Sequence, residues 1–164
     1  MAGNVGYLAP ELTRTRRATT CTDVFSFGAF MLEVACGRRP IGLQGLTEDI
    51  ILVDWVFECW RRGAILDASD PRLEGNYVGE EMELVLKLGL LCSHSVPATR
   101  PSMRQVMQFL NGNANLPELP DGSTFFGTFT GNEEHDFLLL FPSSSGKGSA
   151  ASLSTIDSIH INNC

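Results

Sequence analysis

The feature that most constrains the fold is an almost wholly apolar segment, residues 23–36. Its three polar side chains belong to Asp23, Ser26 and Glu33. Thr22 precedes it as a candidate N-cap, and Gly37 follows as a helix stop. A helix that is apolar on nearly every side belongs at the centre of a domain, surrounded by other elements. At this length it falls short of the ~20 residues needed to cross a bilayer.

Three further segments have helical signals around this central one. Thr47 is placed to cap a helix over residues 48–62 that stops at Gly63. Residues 80–92 form a second apolar helix with an acidic first turn. A last helix is predicted to begin at Pro101, since its apolar residues follow at i, i+3, i+4 and i+7: Met103, Val106, Met107 and Leu110. The sequence therefore predicts a mainly α fold.

Charge is distributed unevenly along the chain. The net charge is −7, and residues 1–112 hold 11 Lys/Arg against 13 Asp/Glu, whereas residues 113–164 hold one against six. No basic stripe is present, so nucleic-acid binding is disfavoured. Residues 118–164 are Ser/Gly-rich and acidic, and we predict a largely disordered tail after a folded unit over residues 1–117.

Common catalytic motifs outside phosphoryl transfer are missing from the sequence. The three histidines lie far apart, no His/Cys cluster has zinc spacing, and no Gly-x-Ser-x-Gly elbow occurs. These observations predict no metal site and no hydrolase site in the chain.

Three ordered motifs resemble landmarks of the protein-kinase C-lobe: residues 6–11 (GYLAPE), residues 23–28 (DVFSFG) and residues 99–103 (TRPSM). Their order is similar to that of the activation-segment end, the central helix and the last helix of that fold. The stretches between them resemble the plant legume-lectin (L-type) receptor-like Ser/Thr kinases. The resemblance covers about residues 3–117 and implies a partial kinase C-lobe.

The resemblance implies roles for several residues. Glu11 would form an ion pair with Arg100 that ties the activation-segment end to the last helices; two unrelated surface charges are the alternative. Asp23 would accept hydrogen bonds from a catalytic loop that this chain lacks; otherwise it is an acid that compensates the helix dipole. The other structural positions implied are Ala9, Pro10 and Gly28.

The resemblance also implies a substrate loop that shapes the pocket beside the phosphoacceptor. A plain Gly-rich turn is the alternative. Asn4 stands where Ser/Thr kinases carry a threonine, which departs from the family pattern. The loop comprises Gly3, Asn4, Val5, Gly6, Tyr7 and Leu8.

The residues for phosphoryl transfer itself are not found in the sequence. Kinases need a glycine-rich loop, a strand lysine, a catalytic aspartate, and an Asp and Asn that hold magnesium. The two lysines, Lys87 and Lys147, lie in a helix and in the tail, and no histidine is followed by Arg-Asp. Asp136-Phe137 continues into Leu138 where the magnesium motif needs glycine. We therefore expect no catalytic, cofactor or metal residues here, with ATP and Mg²⁺ used by the full-length family.

The sequence thus predicts a fragment of a receptor-like Ser/Thr kinase that is inactive alone. The alternative from another class is a noncatalytic interaction or pseudokinase-like module; an unrelated helical bundle would require the three motifs to be coincidence. Expected partners are a protein substrate or the missing kinase portion, with no nucleic acid and no membrane segment. The expected location is the cytoplasmic side of the plasma membrane for the receptor, and the cytoplasm for the chain alone.

Overall fold

Five helices and a short hairpin make up the part of the chain that the structure, a computed structural model, describes: residues 5–44 and 48–119. The elements in order are α1 (Pro10–Thr15), α2 (Thr20–Cys36), β1 (Ile41–Gln44), β2 (Glu48–Ile51), α3 (Leu52–Arg61), α4 (Gly79–Cys92) and α5 (Met103–Leu110). Single 3-10 turns lie at Val5–Tyr7, Ile65–Ala68, Pro71–Leu73 and Pro97–Thr99. The prediction of a mainly α fold is confirmed.

Helix α2 lies at the centre, packed against α4 along its length and against α3 at its C-terminal end. Two glycines allow the close approach of α2 and α4. A Cβ on Gly28 would lie 2.6 Å from Cys92 Cβ, and one on Gly89 would lie 2.6 Å from Leu32 Cδ2. Because interiors are close-packed, neither position has space for a methyl group.

The core has two clusters of buried side chains, both built on α2 and α4. The larger adds α3, the turn at Ile65–Ala68 and Leu119. The smaller adds α5 and contains Val24, Met31, Leu88, Cys92, Val106 and Phe109. These clusters account for the apolar runs in the sequence, since the buried positions of α2 recur on more than one side of the helix.

The predicted helix over residues 48–62 is wrong in its first turn. Glu48–Ile51 forms strand β2, which pairs antiparallel with β1 so that Ile51 lies opposite Ile41. Helix α3 begins only at Leu52, whose N–H donates to the carbonyl of Pro40 (2.9 Å). A backbone pairing with residues upstream thus takes the place of the first helical turn.

Two predicted helix starts are displaced by a few residues. Helix α2 is capped by Thr19, whose hydroxyl accepts from the Thr22 N–H, while Thr22 reciprocates as the third residue of a capping box. Helix α5 is capped by Ser102 in the same way, paired with Gln105, so Pro101 lies before the helix rather than inside it. Thr22, the predicted N-cap of α2, is thus the third residue of that helix, and Pro101, the predicted first residue of α5, lies just before its N-cap Ser102.

Some predictions fall outside the described residues. Gly3, Asn4 and Thr47 lie there, as does the tail from residue 120 onward. None of the helices in the two described ranges is long and apolar enough to pass through a bilayer.

Candidate functional site: the clamp and the loop before it

The central feature of the candidate site is an ion pair between Glu11 and Arg100. The buried guanidinium of Arg100 donates from Nη1 to Oε1 of Glu11 (2.5 Å) and from Nη2 to Oε2 (2.8 Å). Its other N–H groups reach the carbonyls of His94 (2.7 Å), Cys21 (2.9 Å) and Ser95 (3.4 Å). The guanidinium has five N–H donors, so each has an acceptor. We call this arrangement the clamp.

The clamp joins parts of the chain far apart in sequence. Glu11 lies in the first turn of α1, and Arg100 ends the 3-10 turn at Pro97–Thr99. The guanidinium carbon also lies 5.0 Å from the ring centroid of Phe25 on α2. The planar fork and the stacking suit arginine and not lysine, because an ammonium cannot satisfy the same set of acceptors.

The carboxyl group of Glu11 is held in its charged form. Partial burial raises its pKa, but hydrogen bonds from Arg100, a backbone hydrogen bond, and the charges of Arg100 and Arg14 together outweigh burial. The pKa of Glu11 therefore lies below its ordinary value of 4.5. The ion pair persists throughout the neutral range.

His94 lies beside the clamp and is buried, at the end of α4. Its Nδ1 accepts a hydrogen bond from the Val96 N–H (3.0 Å). Burial is the main cause of a lowered His94 pKa, and the nearby Arg100 charge lowers it further. A neutral imidazole is thus suited to its role as acceptor.

The loop before the clamp is fastened to α2 by two hydrogen bonds. Ser26 Oγ donates to the carbonyl oxygen of Tyr7 (2.7 Å), and the Tyr7 hydroxyl donates to the Glu33 carboxylate. The bond to Glu33 is the main reason that the pKa of Tyr7 is raised. These contacts fix the backbone of the predicted substrate loop where it enters α1.

Sequence reasoning missed these fastening residues. Beyond the first turn of α2, Glu33 is its only acidic residue. A single acid in an otherwise apolar helix indicates that its carboxylate has a polar partner. Its partner lies 26 residues away, a separation from which no local spacing rule predicts contact. Ser26 belongs to the motif at residues 23–28, but the motif does not indicate its hydrogen bond to the Tyr7 carbonyl.

The remaining predicted site residues lie close to these contacts or on α2. Ala9 is buried as the N-cap of α1, and Pro10 is the first residue of that helix. Asp23 is exposed in the first turn of α2, and its N–H donates to the Thr19 carbonyl (3.2 Å). Gly28 lies at the contact of α2 with α4. Asp23 is therefore accessible to solvent, which both of its predicted roles allow.

Phosphate-transfer chemistry has no fitting residues in the described ranges. No three carboxylate, histidine or cysteine side chains there are grouped so that they could hold a metal ion. Lys87 forms an ion pair with Glu83 one turn away on α4 (2.6 Å). The described residues therefore do not fit ATP with Mg²⁺.

Comparison with known proteins places this arrangement in a family. Residues 2–110 match the family model for the protein tyrosine and serine/threonine kinase domain. The chain therefore belongs to the protein kinase family, and the resemblance seen in the sequence is confirmed.

Within that family, the chain is similar to plant receptor kinases. It is 62% identical over 120 residues to the L-type lectin-domain containing receptor kinase IV.1 of Arabidopsis thaliana, covering 73% of this chain and 18% of that protein. It is 50% identical over 162 residues to the IV.2 kinase of the same plant, covering 92% of this chain and 24% of that protein. The chain thus spans about a fifth of the length of these curated relatives.

A solved structure resembles the fold. The pseudokinase domain of BIR2, described as an immune regulator of the RLK/Pelle family, is matched with a TM-score of 0.57 and 33% sequence identity. The match covers 66% of this chain and 32% of that one. The matched part of this chain therefore corresponds to about a third of that pseudokinase chain.

Proposed function

We propose that this chain is part of a receptor-like Ser/Thr protein kinase whose complete domain transfers the γ-phosphate of ATP to Ser or Thr hydroxyls of a protein substrate. The observation that carries the proposal is the clamp, together with the family match over residues 2–110. In the complete protein the catalytic and magnesium-binding residues belong to sequence outside this chain.

This part of the domain positions the substrate and does not perform the chemistry. The clamp holds the start of α1, and Tyr7 and Ser26 hold the loop before it against α2. The surface that binds a phosphoacceptor peptide must be rigid, because misplacement of the reacting atoms by about 1 Å can cost about a hundredfold in rate. Asp23 is exposed on α2 and would accept hydrogen bonds from the backbone of the catalytic loop.

The proposal includes a cellular location. Similarity to receptor kinases supports a kinase domain on the cytoplasmic side of the plasma membrane, with ATP and Mg²⁺ as cofactors of the whole protein. The chain covers 18% of the length of the IV.1 kinase, so most of that receptor kinase lies outside the compared region.

A phosphate-incorporation assay tests the proposal. The protein encoded by the longest native transcript that contains residues 1–164 would be incubated with ATP, Mg²⁺ and a general Ser/Thr substrate. We expect incorporation by that protein and none by residues 1–164 alone. Incorporation by the short chain alone, or tyrosine as the sole acceptor in the long protein, contradicts the proposal.

A second candidate function is a noncatalytic interaction module. Phe30 and Val34, one turn apart on α2, are 54% and 64% exposed. The described residues leave both side chains of this apolar pair uncovered on the central helix, which supports an interaction surface there. The solved relative is itself a pseudokinase domain, which supports a noncatalytic role.

Solution behaviour tests this second candidate. An interaction module of this kind should self-associate or require a partner for solubility. A purified chain that is soluble, monomeric by light scattering and cooperatively unfolding would contradict it.

A further inference from the structure

Three arginines lie within four residues at the end of α1. Arg14 is in the last turn, Arg16 is the C-cap, and Arg17 follows it. All three side chains are exposed. They make up a quarter of the chain's 12 Lys and Arg residues. We call Arg14, Arg16 and Arg17 the arginine loop.

The arginine loop has no ion-pair partner among the residues that the structure describes. The ion pairs found there join Arg61 to Glu58, Arg72 to Asp70, Lys87 to Glu83 and Arg100 to Glu11. The nearest acid along the chain is Glu11, and both of its carboxylate oxygens already accept from Arg100. Three guanidinium groups are therefore available to an external anion.

The backbone that carries these side chains is fixed. The Arg16 N–H donates a hydrogen bond to the Leu12 carbonyl (2.8 Å), and the Arg17 N–H donates one to Thr15 Oγ1 (3.3 Å). The segment is anchored upstream by the clamp and downstream by the capping box at Thr19. A ligand that binds here would not have to order the backbone first, which lowers the cost of binding.

The chemistry of the patch suits an anionic ligand. Guanidinium groups form paired hydrogen bonds with carboxylates and with phosphates. Apart from the arginine loop, residues 1–112 carry 13 Asp/Glu against 8 Lys/Arg (11 minus the three of the patch), and this acidic excess disfavours a long polyanion or an anionic membrane. At physiological salt exposed charges interact appreciably only within about 8–10 Å, so a short acidic peptide would be affected mainly by the arginine loop itself.

We propose that the arginine loop docks an acidic segment of the protein substrate. This inference rests on the proposed function, because α1 continues directly from the loop that would hold the phosphoacceptor. Arg14 lies three residues after Glu11 on the same short helix α1, so this end of the patch is close to the clamp. The arginine loop would then favour substrates with acidic residues near the phosphorylated one.

Peptide binding to the intact chain tests the inference without any need for catalysis. The probe is a fluorescein-labelled octapeptide of alternating Glu and Gly, compared with its Gln counterpart by fluorescence anisotropy at low salt. Each exposed charge contact contributes a factor of about 1.5 to 5 in affinity. The triple variant Arg14→Gln, Arg16→Gln, Arg17→Gln should therefore bind about tenfold more weakly than wild type.

A matched control removes the same charge elsewhere. The variant Arg61→Gln, Arg62→Gln, Arg104→Gln replaces three other exposed arginines and should change the affinity less than twofold. Equal weakening in both triple variants, or equal binding of the Glu and Gln peptides, overturns the inference. If the first triple variant unfolds at lower urea than wild type, Arg14→Gln and Arg17→Gln singly carry the test, each with an expected loss of about twofold.

The chain's own acidic tail is the competing occupant. The variant Glu133→Gln, Glu134→Gln, Asp136→Asn should leave the peptide affinity unchanged. If it raises the affinity several-fold, the tail occupies the arginine loop and the inference is overturned. A failure of peptide binding leaves the kinase proposal standing, because that proposal is tested by phosphate incorporation.

Discussion

Replacing Glu11 with alanine should strongly destabilise the fold, because it removes one partner of a buried ion pair. The side chain is only 12% exposed, and its removal leaves the fully buried Arg100 guanidinium with three carbonyl acceptors but no counter-charge. Breaking a buried pair from one side costs about 3–5 kcal/mol, and the slight exposure of Glu11 favours the lower end, about 3 kcal/mol. Domains of this size are stable by only about 5–15 kcal/mol.

Urea unfolding followed by the fluorescence of Trp55 and Trp60 measures this cost. With a urea dependence of about 1.5 kcal/mol per molar, a loss of about 3 kcal/mol moves the midpoint down by about 2 M. The matched control is Glu58→Ala, which removes an exposed pair with Arg61 at 3.5 Å and should cost less than about 1 kcal/mol. Equal midpoint shifts for the two variants would refute the reasoning from burial.

The pH dependence of the same variants gives a second check. The folded pKa of Glu11 is lowered, so the clamp's contribution is fully present above the ordinary pKa of 4.5 and is lost as pH falls through the folded value. The difference in unfolding free energy between wild type and Glu11→Ala should therefore be constant from pH 7 to about pH 5 and shrink below that. A difference that is unchanged at pH 3 would contradict the electrostatic account.

Three further variants test other features of the fold with the same urea assay. Arg16 has a φ of 54°, so Arg16→Gly should raise the unfolding free energy by about 0.5–1 kcal/mol, since a non-glycine residue in that region costs about 1 kcal/mol or more. No gain would mean that the left-handed conformation is not strained. Gly28→Ala should cost about 1–3 kcal/mol, because its Cβ would lie 2.6 Å from Cys92 Cβ. Gly79→Ala is its control, since its nearest neighbour would be 3.9 Å away, and a comparable loss there would count against the steric explanation. Burial raises the pKa of Asp54 from 3.8 to about 6, so the folded chain holds this proton to higher pH than the unfolded chain does, and stability should fall as pH rises from about 4 to about 6. Asp54→Asn should flatten that fall, and an unchanged pH profile would show that Asp54 is not its source.

The positions of the helices follow from the sequence because burial has a strong local signature. The apolar run of α2 and the i, i+3, i+4, i+7 pattern of α5 both mark segments that are helical in the structure. The exact starts were less predictable. Thr19, Thr20 and Thr22 all lie near the start of α2 and can act as caps, and only the geometry of the capping box distinguishes Thr19 from Thr22.

The hairpin could not be predicted in the same way. Residues 48–51 carry acids followed by isoleucines, which also suits a helical first turn. What makes them a strand is pairing with Ile41–Gln44 and the bond from Leu52 to Pro40, and neither interaction has a local signature.

The contacts of the candidate site also lack local sequence signals, and they differ in whether family resemblance suggested them. The pairing of Glu11 with Arg100 across 89 positions was suggested by family resemblance and has no local signal of its own. The fastening of Tyr7 to Glu33 was missed, because nothing in the spacing of those residues points to contact. The roles of the substrate-loop residues stay predictions.

The sequence of the native transcript upstream of Met1 tests the central claim most directly. The account predicts an open frame that continues into a strand lysine, a His-Arg-Asp loop and an Asp-Phe-Gly motif, in the order a kinase domain requires. A stop codon that closes the frame before these motifs would contradict it, and the chain would then be a noncatalytic module of the kinase fold.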